Sequence, residues 1–169
     1  MFKSTVDLYY STRGLTAITY VNQGIGGAYT DTIQQDAQVN AIIAEAPTHV
    51  LNHIGVNDPR SIPEATSIAH YNTWFNKLYA GLPNVKVLMT TAPSSDADSA
   101  ETMDSLAAAW REIARDRNAV CVDLRSYFNT LTGDQQTAVT IDGVHISTAY
   151  GRGFWAHGVL AQTNLREAA

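Results

Sequence analysis

His49-Val50-Leu51-Asn52-His53-Ile54-Gly55-Val56-Asn57-Asp58-Pro59 is the stretch that decides the fold. Its first six residues are a short run rich in apolar and β-branched side chains, which predicts a strand. Gly55 to Pro59 then reads as a loop, because glycine, asparagine, aspartate and proline favour turns over regular structure. Beyond it, Ile68, Tyr71, Phe75 and Leu78 mark one face of a helix that ends at Gly81. Working outward, the same rhythm recurs on both sides. Upstream, Leu15 to Asn22 predicts a strand that stops at Gly24-Ile25-Gly26-Gly27. A helix follows from Thr30-Asp31 through Ile33, Ala37, Ala41 and Ala44, until Pro47 ends it. Downstream, Val85 to Thr91 predicts a strand and Ala92 to Asp98 a loop. Met103, Leu106, Ala107, Trp110, Ile113 and Ala114 trace a helical stripe, Val120 to Leu124 a further strand, and Thr148 to about Leu165 a last helix weakened by Gly151, Gly153 and Gly158.

Strands alternating with helices imply a mostly parallel sheet, because parallel neighbours need a crossover and the crossover helices cover both faces. The expected class is therefore α/β, a three-layer αβα sandwich, in one domain over residues 1–169. In such sheets ligands bind beyond the carboxyl ends of the strands. The segments Gly24 to Gly27, Gly55 to Asp58 and Ala92 to Ser95 all follow strands, so they are expected to meet on one rim.

Composition narrows the partners. Of the 169 residues, 45% are hydrophobic and 16% charged, which suits a packed core and argues against disorder. The net charge is -5 and there are three lysines without a basic cluster, so the chain lacks the footprint of a nucleic-acid or anionic-lipid binder. A neutral small molecule fits better. No apolar run reaches the roughly 18 residues of a membrane span. The start Met1-Phe2-Lys3-Ser4 has no signal-peptide apolar region, but a trimmed terminus would have lost one, so the compartment stays open. The single cysteine, Cys121, lies in an apolar run and is expected to be buried and unreactive. Nothing in the sequence sets the oligomeric state.

Three features can carry chemistry. In Asp142-Gly143-Val144-His145 a carboxylate precedes an imidazole by three positions, close enough to hold its Nδ1–H and leave Nε2 as a general base. The same pair can be a capping aspartate beside a surface histidine. The backbone N–H groups of Gly24-Ile25-Gly26-Gly27 and the side-chain amide of Asn57 can serve a developing oxyanion. Each has a plainer reading, a turn for the glycines and a helix start for Asn57-Asp58-Pro59. His49, His70 and His157 lack paired-ligand spacing, and Asp142 with His145 finds no third ligand, so no metal is expected. His53 is expected to point off its strand into the core or rim. Tyr9, Tyr10, Trp74, Trp110 and Trp155 read as core or groove walls.

Taken in order, these features resemble the SGNH (GDSL-like) hydrolases. Asn22 to Gly27 is similar to that family's second block, Gly55 to Asp58 to its third, and Asp142 to His145 to its fifth, and the likeness covers the chain from about Leu15 onward. The resemblance implies a flavodoxin-like αβα sandwich and metal-independent ester hydrolysis without a cofactor. It implies that Gly27 donates its N–H, Asn57 its amide, His145 acts as base and Asp142 orients it. The first block departs from the pattern. Phe2-Lys3-Ser4 stands where the family has Gly-Asp-Ser after its first strand, so Ser4 is the best available nucleophile and Ser11 a weaker substitute. That strand looks missing, as from a truncated chain, which predicts a poorly positioned Ser4 and weak or no hydrolysis. The substrate expected is a short acyl ester, such as an acetyl group on a carbohydrate. The alternative is a non-catalytic αβα binding module derived from such a hydrolase.

Overall fold

The computed structural model describes residues 19–94 and 100–147, and beyond them residues 150, 151, 153–155 and 158. Ser4, Ser11, the first-block strand, Leu15 to Ile18, most of the Thr148 to Leu165 segment and Ser95 to Asp98 lie outside those residues. The elements in chain order are α1 (Thr30–Ile33), α2 (Asp36–Ala44), β1 (His49–His53), a 3-10 turn (Asp58–Arg60), α3 (Glu64–Gly81), β2 (Lys86–Thr90), α4 (Ala100–Asp116), β3 (Val120–Val122), α5 (Leu124–Asn129) and α6 (Gly133–Val139).

The three strands form one sheet in the order β1-β2-β3, and both pairings are parallel. Val50 lies opposite Val87, Leu51 opposite Leu88 and Met89 opposite Cys121. Because successive strand side chains alternate faces, neighbouring residues feed different cores. Val50, Val87, Met89 and Cys121 join one cluster, whereas Leu51 and Val122 join another. The first cluster is completed by Val39 of α2, by Tyr71, Trp74, Phe75 and Leu78 of α3, and by Leu106, Trp110 and Ile113 of α4. The second takes Leu124 and Phe128 of α5, Val139 of α6, and Phe154 and Trp155. Helices on both faces of a parallel sheet make the αβα layers that the βα rhythm predicts.

The predicted stripes of α3 and α4 are buried faces, but the one expected on Ile33, Ala37, Ala41 and Ala44 is not: Ala37 and Ala44 are exposed, and Val39, Ile42 and Ile43 of α2 reach the core instead. Every residue of the Met103 to Ala114 stripe is buried. Trp74, Trp110 and Trp155 are core residues, and the Tyr71 and Trp110 rings meet with centroids 4.6 Å apart. Such aromatic pairs add about 0.5–1.5 kcal/mol beyond the area they bury. Trp110 also donates from Nε1 to the Ile54 carbonyl oxygen at 3.2 Å. This contact requires glycine next door. Gly55 has φ +108, and a Cβ there would stand 2.8 Å from Trp110 Nε1. Burial pushes the half-buried Cys121 thiol up to about 11, which suits an unreactive packing residue.

The structure also departs from the expected elements. Thr19 to Asn22 are not in a strand. The helix expected from Thr30 to Ala44 is two helices, because Gln35 turns extended (ψ 143). Lys77 of α3 stabilises the break by donating from Nζ to the Gln34 carbonyl oxygen at 2.7 Å while pairing with Asp36 at 2.6 Å. Helices α5 and α6 lie where the sequence leads one to expect no element. Asp123 caps α5 by accepting from Ser126 N–H at 3.1 Å, and a Thr132/Gln135 capping box opens α6. Of the last expected helix, the described residues Gly151, 153–155 and Gly158 are helical.

Candidate active site

The site residues fall into two hydrogen-bonded groups. The first joins the glycine loop to the segment after β1. Asn57 donates from Nδ2 to the Ala28 carbonyl oxygen at 3.0 Å, one residue past Gly27. The glycine loop is itself closed by Ala28 N–H donating to the Ile25 carbonyl oxygen at 3.3 Å, with Gly27 in the left-handed region at φ +72. Gly27 is exposed and Asn57 half-buried. A carboxamide carries two N–H donors. One is spent on Ala28, which orients the group, and the other makes no hydrogen bond among the described residues.

The second group is Asp142 with His145. Thr140 and Ile146 form an antiparallel bridge, and Ile141 N–H donates to the His145 carbonyl oxygen at 2.7 Å, so residues 140–146 make a tight loop. Gly143 at φ +78 permits the chain to fold back inside it. The Asp142 side chain fills that loop. Its Oδ1 accepts from His145 N–H at 2.8 Å and Val144 N–H at 3.0 Å, and its Oδ2 meets His145 Nδ1 at 2.7 Å. The His145 backbone N–H, then its ring, then the Val144 N–H hold the Asp142 carboxyl well below the usual carboxylate range. An ionised carboxylate can only accept. Nδ1 must therefore carry the proton of a neutral ring, which leaves the Nε2 lone pair free. The histidine side chain is 76% exposed, and no described residue hydrogen-bonds Nε2. Among the described residues no hydrogen bond bridges the two groups.

Other histidines are engaged elsewhere. His53, at the carboxyl end of β1, bonds Thr90 Oγ1 from Nδ1 and meets the Trp155 ring edge-on at 6.3 Å. His70 Nδ1 lies 3.3 Å from Thr30 Oγ1, and His49 Nδ1 lies 3.0 Å from Thr48 Oγ1.

Two residues given no role by the sequence reading follow the carboxyl ends of β1 and β3. Arg125 is buried and donates to Asp104 Oδ1 at 2.6 Å, to the Pro93 carbonyl oxygen at 2.8 Å and to the Ala100 carbonyl oxygen at 3.3 Å, which secures both flanks of the loop after β2. Asp58 is buried and accepts from Thr30 N–H at 2.9 Å. Neither could be told from a surface charge by local pattern, because each is defined by partners more than twenty residues away.

The sequence matches the model of the GDSL-like lipase/acylhydrolase family over residues 9–150. The chain belongs to that family. No curated protein matches the sequence closely enough to count as a relative. Solved structures share the fold. One from Parabacteroides merdae, described as a GDSL-like lipase, is 18% identical with a TM-score of 0.80 over 98% of this chain and 81% of its own. The lipase/acylhydrolase of Enterococcus faecalis is 20% identical with a TM-score of 0.75, over 98% and 84%. The acetylxylan esterase of Geobacillus stearothermophilus is 23% identical with a TM-score of 0.75, over 94% and 78%. Identities this low establish the architecture, which is that of the SGNH hydrolases.

Proposed function

We propose that the chain is a serine acylhydrolase cleaving a short acyl ester, with His145 as general base, Asp142 as its orienting carboxylate, Gly27 N–H and Asn57 Nδ2 as oxyanion donors, and Ser4 as nucleophile. The observation that carries the reading is the 2.7 Å bond between Asp142 Oδ2 and His145 Nδ1, with Nε2 left open. In the proposed reaction Ser4 Oγ attacks the acyl carbon and passes its proton to Nε2. The carbonyl oxygen becomes an oxyanion stabilised by the two donors. Collapse breaks the ester C–O bond, and the leaving alkoxide takes the proton from His145. Water then repeats the sequence on the acyl-serine, releasing the carboxylic acid and the free serine.

The substrate class is an acetylated carbohydrate or a comparable small ester. Support comes from the family, and from acetylxylan esterases among the structures with this fold. The rival is a non-catalytic binding module on the same scaffold, favoured by Phe2 and Lys3 in place of the motif's glycine and aspartate. Turnover of p-nitrophenyl acetate, butyrate and laurate separates these readings. We expect the highest kcat/KM on acetate and a decline with chain length. Preference for laurate would refute the short-acyl assignment, and no turnover of any ester would favour the binding module.

A further inference from the structure

We infer that Asp58 is a positioning residue that locks the two proposed oxyanion donors to one another. The inference rests on the donor roles proposed for Gly27 and Asn57. Consecutive side chains after β1 reach the same distant segment. Asn57 bonds the carbonyl of Ala28, and Asp58 Oδ1 bonds the N–H of Thr30, so the segment is held through an acceptor and a donor two residues apart. Both ends of the second bond are sealed from solvent, with Asp58 1% and Thr30 0% exposed.

Asp58 is itself tied down by backbone bonds. Its carbonyl oxygen accepts from Ser61 N–H at 2.9 Å and Ile62 N–H at 2.7 Å, which ties it into the 3-10 turn that Pro59 begins. The remaining carboxylate oxygen, Oδ2, is buried and has no hydrogen bond among the described residues. A half-satisfied buried carboxylate is costly to keep in a fold that needs only a turn there. What the residue achieves is geometric. With Thr30 fixed by Asp58 and Ala28 fixed by Asn57, the peptide planes just after Gly27 have little freedom, and Gly27 N–H and the second Asn57 N–H keep a constant separation. Catalysis by preorganised donors depends on that constancy.

The test uses two readouts on the 169-residue chain and its Asp58→Ala and Asp58→Asn variants. In 15N-labelled protein, Asp58→Ala should speed amide exchange at Thr30 by about 100-fold, a local opening, and shift the side-chain amide pair of Asn57 toward free-amide positions. Asp58→Asn retains an acceptor oxygen and should hold both near wild type. In p-nitrophenyl acetate turnover, Asp58→Ala should lower kcat by about tenfold or more with KM changed less than about threefold, because misplacement of order 1 Å carries losses of that scale. Asp58→Asn should recover most of the rate. If Asp58→Ala does not fold, Asp58→Ser, too short to reach Thr30 N, takes its place. Unchanged Thr30 exchange and Asn57 resonances would overturn the inference, as would a change confined to KM. A wild-type chain inert toward esters would sink the esterase reading alone, since the two resonance readouts still decide whether Asp58 holds the donors.

Discussion

His145→Ala will lower kcat for p-nitrophenyl acetate by about 10²–10⁴-fold, the range that a positioned general base contributes. KM should change little, because the ring is proposed to act in proton transfer and not in holding substrate. The structure makes this a clean experiment. His145 is 76% exposed on a loop closed by backbone bonds, so its removal leaves no cavity, and surface changes of this kind usually stay within about 0.5 kcal/mol of stability. A fall in rate without a fall in melting temperature therefore reports chemistry. Asp142→Asn should give a smaller loss, since the amide still reaches Nδ1 but can favour the wrong tautomer. The sign of the pH dependence follows from Asp142. Its carboxyl is held below the usual range, so whatever stability it lends is present above its unfolded value of about 3.9 and is lost only as pH falls through the lower folded value. Between pH 5 and 9, as convenient assay limits of about that span, Asp142 stays charged, and any change in rate must come from another group. Full activity in His145→Ala would remove the residue from the mechanism.

Asn57→Ala is the second large effect, a loss of about 10²–10³ in kcat, as found for removal of one preorganised oxyanion donor. Two consequences of the substitution act in the same direction. The free N–H proposed to face the oxyanion disappears, and so does the 3.0 Å bond that holds Ala28 beside the glycine loop. Asn57→Asp separates them. Its carboxylate cannot donate, and it would stand against both the Ala28 carbonyl and the developing negative charge, so the loss should equal or exceed that of alanine. Steady-state kinetics on both variants measure this. A wild-type kcat in Asn57→Ala, with the fold intact by circular dichroism, would move the donor elsewhere.

The layers of the fold were legible because their signals are local and periodic. The Met103 to Ala114 stripe is a buried helix face, and the β-rich runs at His49, Val85 and Val120 are the three parallel strands, of which β2, between the other two, is the most apolar and the most buried. What escaped was set at a distance. The break at Gln34 depends on Lys77, more than forty residues away, capturing the freed carbonyl. Thr19 to Asn22 have the composition of a strand, but strand propensity is a measure of packing against neighbours and not of the backbone alone. Helix α6 could have been found, since Thr132-Gly133-Asp134-Gln135 spells a capping box. Of the candidate site, the Asp142–His145 bond was readable as a motif, because three residues of spacing suffice to set it. Asp58 was not, because nothing about Asn57-Asp58-Pro59 distinguishes a buried acceptor from turn punctuation until Thr30 is seen beside it.

Acyl transfer by a serine that His145 activates can be caught covalently. An organophosphonate probe incubated with the 169-residue chain, followed by peptide mapping, should label one serine, Ser4, and His145→Ala should suppress that labelling. Labelling at Ser11 with the same dependence on His145 would reassign the nucleophile and keep the mechanism. An unlabelled chain, or labelling that persists undiminished in His145→Ala, would contradict the account.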